Sequence, residues 1–121
     1  MDIGVPTEIK TAERRIGLTP GAVSELTSLG HNVVIQAGAG AGAGYEDSSY
    51  QEVGASVAAS AEEVFESSEM IVKVKEPQAV ERAMLQSHHV LFTYLHLAAD
   101  RLQTDELIES KATCIAYETV T

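Results

Sequence analysis

Met70-Ile-Val-Lys-Val-Lys-Glu-Pro77 is an apolar, β-branched run that carries two lysines and is stopped by a proline. Its opening residues suit a strand covered on both faces in a parallel sheet, where alternation of apolar and polar residues is weak. Pro77 keeps Glu76 extended and sends the chain out of the sheet. Lys75 therefore falls at the carboxyl end of a buried strand, and in open α/β sheets the crevice outside those ends is where ligands bind. Taken alone, such a lysine also fits a strand end pointing to solvent, because lysine is seldom buried without a partner.

Working outward, the same grammar repeats on both sides. Pro77–Leu85 has helical character, with Val80, Met84 and Leu85 expected on the buried side and Glu81 and Arg82 towards solvent. Val90–Leu95 is the next apolar strand and runs into His96; a helix over Asp100–Ser110 and a strand over Thr113–Glu118 follow. Upstream, Asp2–Val5 is a short strand closed by Pro6, and a polar loop carrying Arg15 leads to Thr19-Pro20, a helix cap followed by proline at the first helical position. Val23, Leu26 and Leu29 form that helix's apolar stripe before Gly30. Asn32–Gln36 is a second strand, Asp47–Val53 a helix ending at Gly54, Ala55–Ala59 a short strand, and Ser60-Ala-Glu-Glu63 opens a helix with the capping-box pattern. Strands alternating with helices predict one α/β domain, a doubly wound, mostly parallel, Rossmann-like sheet with helices on both faces. Its sheet core is expected to hold Ile3, Val5, Val33, Ile35, Ile71, Val72, Val74, Leu91, Phe92, Ile115 and Ala116.

Gly38, Gly40 and Ala43 match the dinucleotide fingerprint G-x-G-x-x-G/A and follow a strand, as that fingerprint requires. Any alternating Gly-Ala tract scores, however, and the next segment, Tyr45–Gln51, is polar and aromatic where a nucleotide-binding helix packs small apolar residues on the sheet. A tight glycine turn is the preferred reading.

With 121 residues, 45% of them hydrophobic, the chain is long enough to bury a core. Its 18 acidic and 8 basic residues give a net charge of −10, which argues against nucleic acid or an anionic membrane as partner. The single cysteine, Cys114, rules out an internal disulfide, and neither a signal peptide nor a membrane span is visible. These features predict a cytoplasmic protein.

In this layout Arg15, Lys75 and His96 all follow carboxyl ends of strands, so one edge of the sheet collects a guanidinium, an ammonium and an imidazole. Arginine grips a carboxylate with paired hydrogen bonds, lysine adds a positive donor, and histidine exchanges protons near neutral pH. A small keto or amino acid fits such a site. For His96 alone, a packed strand-end histidine is the competing reading.

The sequence also resembles the amino-terminal, substrate-binding domain of alanine dehydrogenases. The resemblance is carried by Gly4-Val-Pro-Thr-Glu-Ile-Lys10, Glu13-Arg-Arg-Ile-Gly-Leu-Thr-Pro20, Gly30-His-Asn-Val-Val-Ile-Gln-Ala-Gly-Ala-Gly40, Val72-Lys-Val-Lys-Glu-Pro77, Leu91-Phe-Thr-Tyr-Leu-His-Leu-Ala98 and Ile115-Ala-Tyr-Glu-Thr-Val120. It implies that Arg15 and Lys75 hold the substrate carboxylate and carbonyl, and that His96 donates or accepts a proton. It further implies NAD-dependent, reversible oxidative deamination of L-alanine to pyruvate and ammonia, and a tendency to form homo-oligomers, in this family hexamers. The related transhydrogenase domain usually lacks both the second lysine of Lys73-Val-Lys75 and the histidine after Thr93-Tyr-Leu. Ala12 departs from the family's usual asparagine, and the Gly-Ala tract is unusually regular. The family's NAD-binding domain is expected to lie outside these 121 residues, so the chain alone is expected to be inactive; no residue here is assigned to cofactor or metal. A non-catalytic or split-protein module that binds a small α-keto or amino acid is the alternative from another class, and a transhydrogenase-type domain the alternative within the family.

Overall fold

The structure, a computed structural model, describes residues 1–9, 13–93 and 101–116. In chain order it places β1 (Asp2–Val5), α1 (Pro20–Ser28), β2 (Asn32–Gln36), α2 (Asp47–Glu52), β3 (Ser56–Ala58), α3 (Ala61–Ser67), β4 (Met70–Val72), α4 (Ala79–Arg82), β5 (Val90–Thr93), α5 (Arg101–Ser110) and β6 (Thr113–Ala116). All the strand pairs are parallel, in the order β3-β2-β1-β4-β5-β6. This is the predicted doubly wound sheet. After β1 the chain builds outward through β2 and β3, then returns across the sheet to lay β4 against the other side of β1. The carboxyl ends of β1 and β4 therefore flank the point where the strand order reverses, the place such sheets reserve for ligands.

The pleat sorts the core into two layers. Ile3, Val5, Val33, Ile35 and Val72 pack on one face with Val23 of α1 and Tyr50 of α2. Ile71 and Leu91 pack on the other with Val64 and Phe65 of α3 and Leu107 of α5, and Val34, between Val33 and Ile35, joins this second layer. The helix starts follow local chemistry: Thr19 Oγ1 accepts from the amide of Ala22 at 3.2 Å, and Ser60 Oγ from that of Glu63 at 3.3 Å.

Several expectations need correction. β4 ends at Val72, two residues earlier than the apolar run implies, so Val74 is only half-buried. Phe92 is half-buried too, and Ile115 is 38% exposed because β6 is the edge strand of the described sheet. Leu29 follows α1 and is exposed. The largest correction concerns α4, which is shorter than expected: Glu81 and Arg82 are buried and Val80 is 65% exposed, while Leu85 is buried and Met84 packs against the core as expected. Glu81 turns inward to meet a buried lysine, and Arg82 donates to the carbonyl of Pro77 at 2.7 Å and to Glu106 of α5 at 3.3 Å. Among the described residues, no helix is long and apolar enough to cross a membrane.

Candidate functional site

The loop from β1 to α1 brings Arg15 to the switch point, and three contacts pin it there. Ile16 inserts into the first core layer. Gly17 lies so close to the end of β4 that a Cβ would stand 2.7 Å from the Val72 carbonyl oxygen. The Leu18 carbonyl accepts from the hydroxyl of Tyr50 at 2.8 Å, and burial pushes that phenol up to about 12.

Arg15 itself is 65% exposed on the rim, and its guanidinium meets Glu13 in a two-pronged pair: Nε donates to Oε2 and Nη2 to Oε1, both at 3.0 Å. The Glu13 carboxyl is held below its ordinary range, first by the side-chain hydrogen bonds from Arg15, with burial opposing. The charge of Lys75 also lowers it, so the ammonium lies close enough to be felt at Glu13. Of the three predicted residues, Arg15 is exposed beside Glu13 on the loop that Gly17 holds against the end of β4, and Lys75 lies three residues past that end. The third, His96, lies outside the described residues.

Beneath the rim is a buried ionic cluster that sequence reasoning missed. Lys73, 1% exposed, sits 3.1 Å from Oε1 of Glu8 and 2.8 Å from Oε2 of Glu81, and each of these carboxylates is 3% exposed. At 2.8 Å the Glu81 contact is a close ion pair. Burial raises the Glu81 carboxyl above its ordinary value, and the Lys73 charge only partly offsets this. Glu8 also accepts the amides of Val74 at 3.0 Å and Lys75 at 3.1 Å. A lysine inside an apolar run was the available signal, since a buried ammonium requires a buried partner.

The glycine tract is a turn. Gly38 and Gly44 have φ of 78° and 89°, which glycine tolerates and other residues resist. The amide of Gly38 donates to the Asp47 carboxylate at 2.9 Å, so that amide is already taken within the turn. A separate cavity of about 340 Å³ between α3 and the segment entering β5, lined by Glu62, Phe65, Met84 and His89 among others, shares no residue with the rim.

Comparison with known proteins gives concordant findings. The family described as "Alanine dehydrogenase/PNT, N-terminal domain" matches residues 4–121. An alanine dehydrogenase of Halomonas elongata is 50% identical over 121 residues, covering 100% of this chain and 33% of that protein. One of Mycobacterium tuberculosis is 48% identical over 120 residues, covering 99% and 32% respectively. A solved L-alanine dehydrogenase superposes with a TM-score of 0.95 at 50% identity, over 98% of this chain and 33% of the other. A transhydrogenase from Sinorhizobium meliloti gives 0.91 at 27% identity, over 100% of this chain and 37% of that one. The chain spans about a third of the length of the curated relatives it matches.

Proposed function

This chain belongs to the alanine dehydrogenase/PNT N-terminal domain family, and from that premise we propose that it is the substrate-binding part of an alanine dehydrogenase. What supports the proposal is the likeness along the whole chain, together with Arg15 exposed on the loop that Gly17 holds against the end of β4 and Lys75 just past that end. The overall reaction is reversible conversion of L-alanine and NAD to pyruvate, ammonia and NADH. NAD is held outside these 121 residues, because the one nucleotide-like tract here has its amide taken by Asp47. This chain's own share is to bind and orient the substrate and to move a proton. Arg15, exposed on the rim, receives the substrate carboxylate, and Lys75 donates to its carbonyl oxygen. His96 exchanges the proton as the carbinolamine between imine and ketone forms and collapses. The complete protein works in the cytoplasm and associates with copies of itself, as the family does. A transhydrogenase-type domain is the weaker reading: the likeness there is 27% identity, against 50% to the solved L-alanine dehydrogenase.

The test is kinetic, in the complete enzyme. Arg15→Ala and Lys75→Ala are each expected to raise KM for pyruvate about 10- to 100-fold, the worth of a hydrogen bond to a charged group. His96→Ala is expected to lower kcat about 10²- to 10⁴-fold, and His96→Gln, which cannot titrate, should fail to restore it. Unchanged pyruvate KM in the first two variants, or near-normal turnover and pH profile in His96→Gln, overturns the corresponding role.

A further inference from the structure

Lys75 sits just past the end of β4. Among the described residues, Lys73 makes the last ladder bond, its amide donating to the carbonyl of Phe92 at 3.0 Å. From there side chains take over. The Val74 amide donates to Oε2 of Glu8 at 3.0 Å and the Lys75 amide to Oε1 at 3.1 Å. The Lys75 carbonyl accepts from the hydroxyl of Thr93 at 2.8 Å, and Thr93 is fully buried at the end of β5. Glu8 follows β1 and Thr93 ends β5, the two strands that flank β4. Both peptide groups of Lys75 are therefore gripped, one from each side of the strand that delivers it.

We propose that Glu8 and Thr93 are positioning residues that hold the backbone of Lys75 from the two neighbouring strands and so aim its ammonium at the substrate. The inference rests on the reading of Lys75 as a substrate ligand and adds how it is placed. Glu8 suits the task because its carboxylate accepts the Lys73 ammonium, the Val74 amide and the Lys75 amide together, and charge-assisted bonds hold direction better than neutral ones. Lysine needs such support: its ammonium rides on a flexible four-carbon stem, so its reach is only as well defined as its Cα. Thr93 adds the restraint that stops the Lys75 peptide from rotating about the Glu8 bonds.

The test is a double-mutant cycle in the complete enzyme, with Glu8→Gln and Thr93→Val made alone and on Lys75→Ala, reading pyruvate KM, kcat and thermal midpoint. Glutamine keeps the shape but turns one amino group towards donors; valine keeps the volume and loses the hydroxyl. Glu8→Gln is expected to raise pyruvate KM about 10-fold or more, since misplacing a binding group by about 1 Å can cost about 100-fold. Thr93→Val should act in the same direction and less. Neither should raise KM more than about twofold further once Lys75 is alanine, because residues acting through one group are not additive. Full additivity on Lys75→Ala, or unchanged KM in both single variants, overturns the inference even if the thermal midpoints fall. Should Glu8→Gln not fold, the Thr93→Val arm decides alone by the same criterion. If Lys75→Ala itself leaves KM unchanged, the substrate reading fails and this inference with it.

Discussion

Replacing Lys73 by methionine removes the cation that pairs with both Glu8 and Glu81 while keeping an unbranched chain of similar length. Glu8 and Glu81, each 3% exposed, then face one another with no ammonium between them. Breaking a buried ion pair from one side costs about 3–5 kcal/mol, because the abandoned charge stays desolvated. Here the abandoned carboxylates keep some amide donors: Val74 and Lys75 for Glu8, and Gln78 for Glu81 at 2.8 Å. The lower end, about 3 kcal/mol, is therefore expected, a large share of the roughly 5–15 kcal/mol that holds a domain of ordinary size. Urea unfolding of the 121-residue chain followed by circular dichroism measures it. The deficit should depend on pH with a definite sign. Burial already holds the Glu81 carboxyl above its value of 4.5, so the folded state keeps a proton that the unfolded state gives up first. Stability from Glu81 is thus lost as pH rises from 4.5 through the folded value. Removing Lys73 strips away what opposes that loss, so the gap between variant and parent should widen towards neutral pH. Adding Glu81→Gln should recover at least about 1 kcal/mol, since one of the uncompensated charges is gone. A loss below about 1 kcal/mol, the size expected of an exposed pair, or a gap that narrows as pH rises, would refute the reasoning.

Burial holds His89 below its ordinary 6.5, while Nδ1 accepts the Gln86 amide at 2.9 Å and Nε2 lies 2.7 Å from the Phe65 carbonyl. The unfolded chain therefore takes up the proton first, so this contribution is full above 6.5 and is lost as pH falls through the folded value; a parent and a His89→Gln variant that lose the same stability between neutral and mildly acid buffer would contradict it. Gly17→Ala should destabilise by about 1–3 kcal/mol and raise pyruvate KM in the complete enzyme, because the added carbon would stand 2.7 Å from the Val72 carbonyl and push the Arg15 loop off β4; a neutral result in both would show that the loop has room.

The sheet was legible because its information is local. Apolar runs such as Asn32–Gln36 and Val90–Thr93, punctuated by glycine and proline, mark parallel strands, and Thr19 and Ser60 announce helix starts by capping chemistry alone. Strand order then placed Lys75 just past the end of β4, against which Gly17 holds the loop of Arg15. The buried ionic cluster was not legible for the opposite reason. Glu8 and Lys73 are separated by 65 positions, and no period of 2.0 or 3.6 residues relates them. Amphipathic counting placed Leu85 correctly but sent Glu81 and Arg82 to solvent, since it assumes that charge seeks water, whereas Glu81 is drawn inward by Lys73 just past β4.

The cluster also explains why a stability cost sits beneath this rim. An apolar set of similar volume in place of Lys73, Glu8 and Glu81 is the kind of exchange that often leaves a fold as stable or more so. It would leave the amides of Val74 and Lys75 without their acceptor, since β4 has already ended at Val72. The carboxylate of Glu8 is thus required by the rim above it, and Lys73 is required by Glu8, because a carboxylate 3% exposed needs a counter-charge. Glu81 answers in turn to Lys73 and closes the segment after Pro77 over the cluster through the Gln78 amide. Followed from the rim inward, each buried charge is explained by the one nearer the site, and the chain of requirement begins at the peptide groups of Lys75.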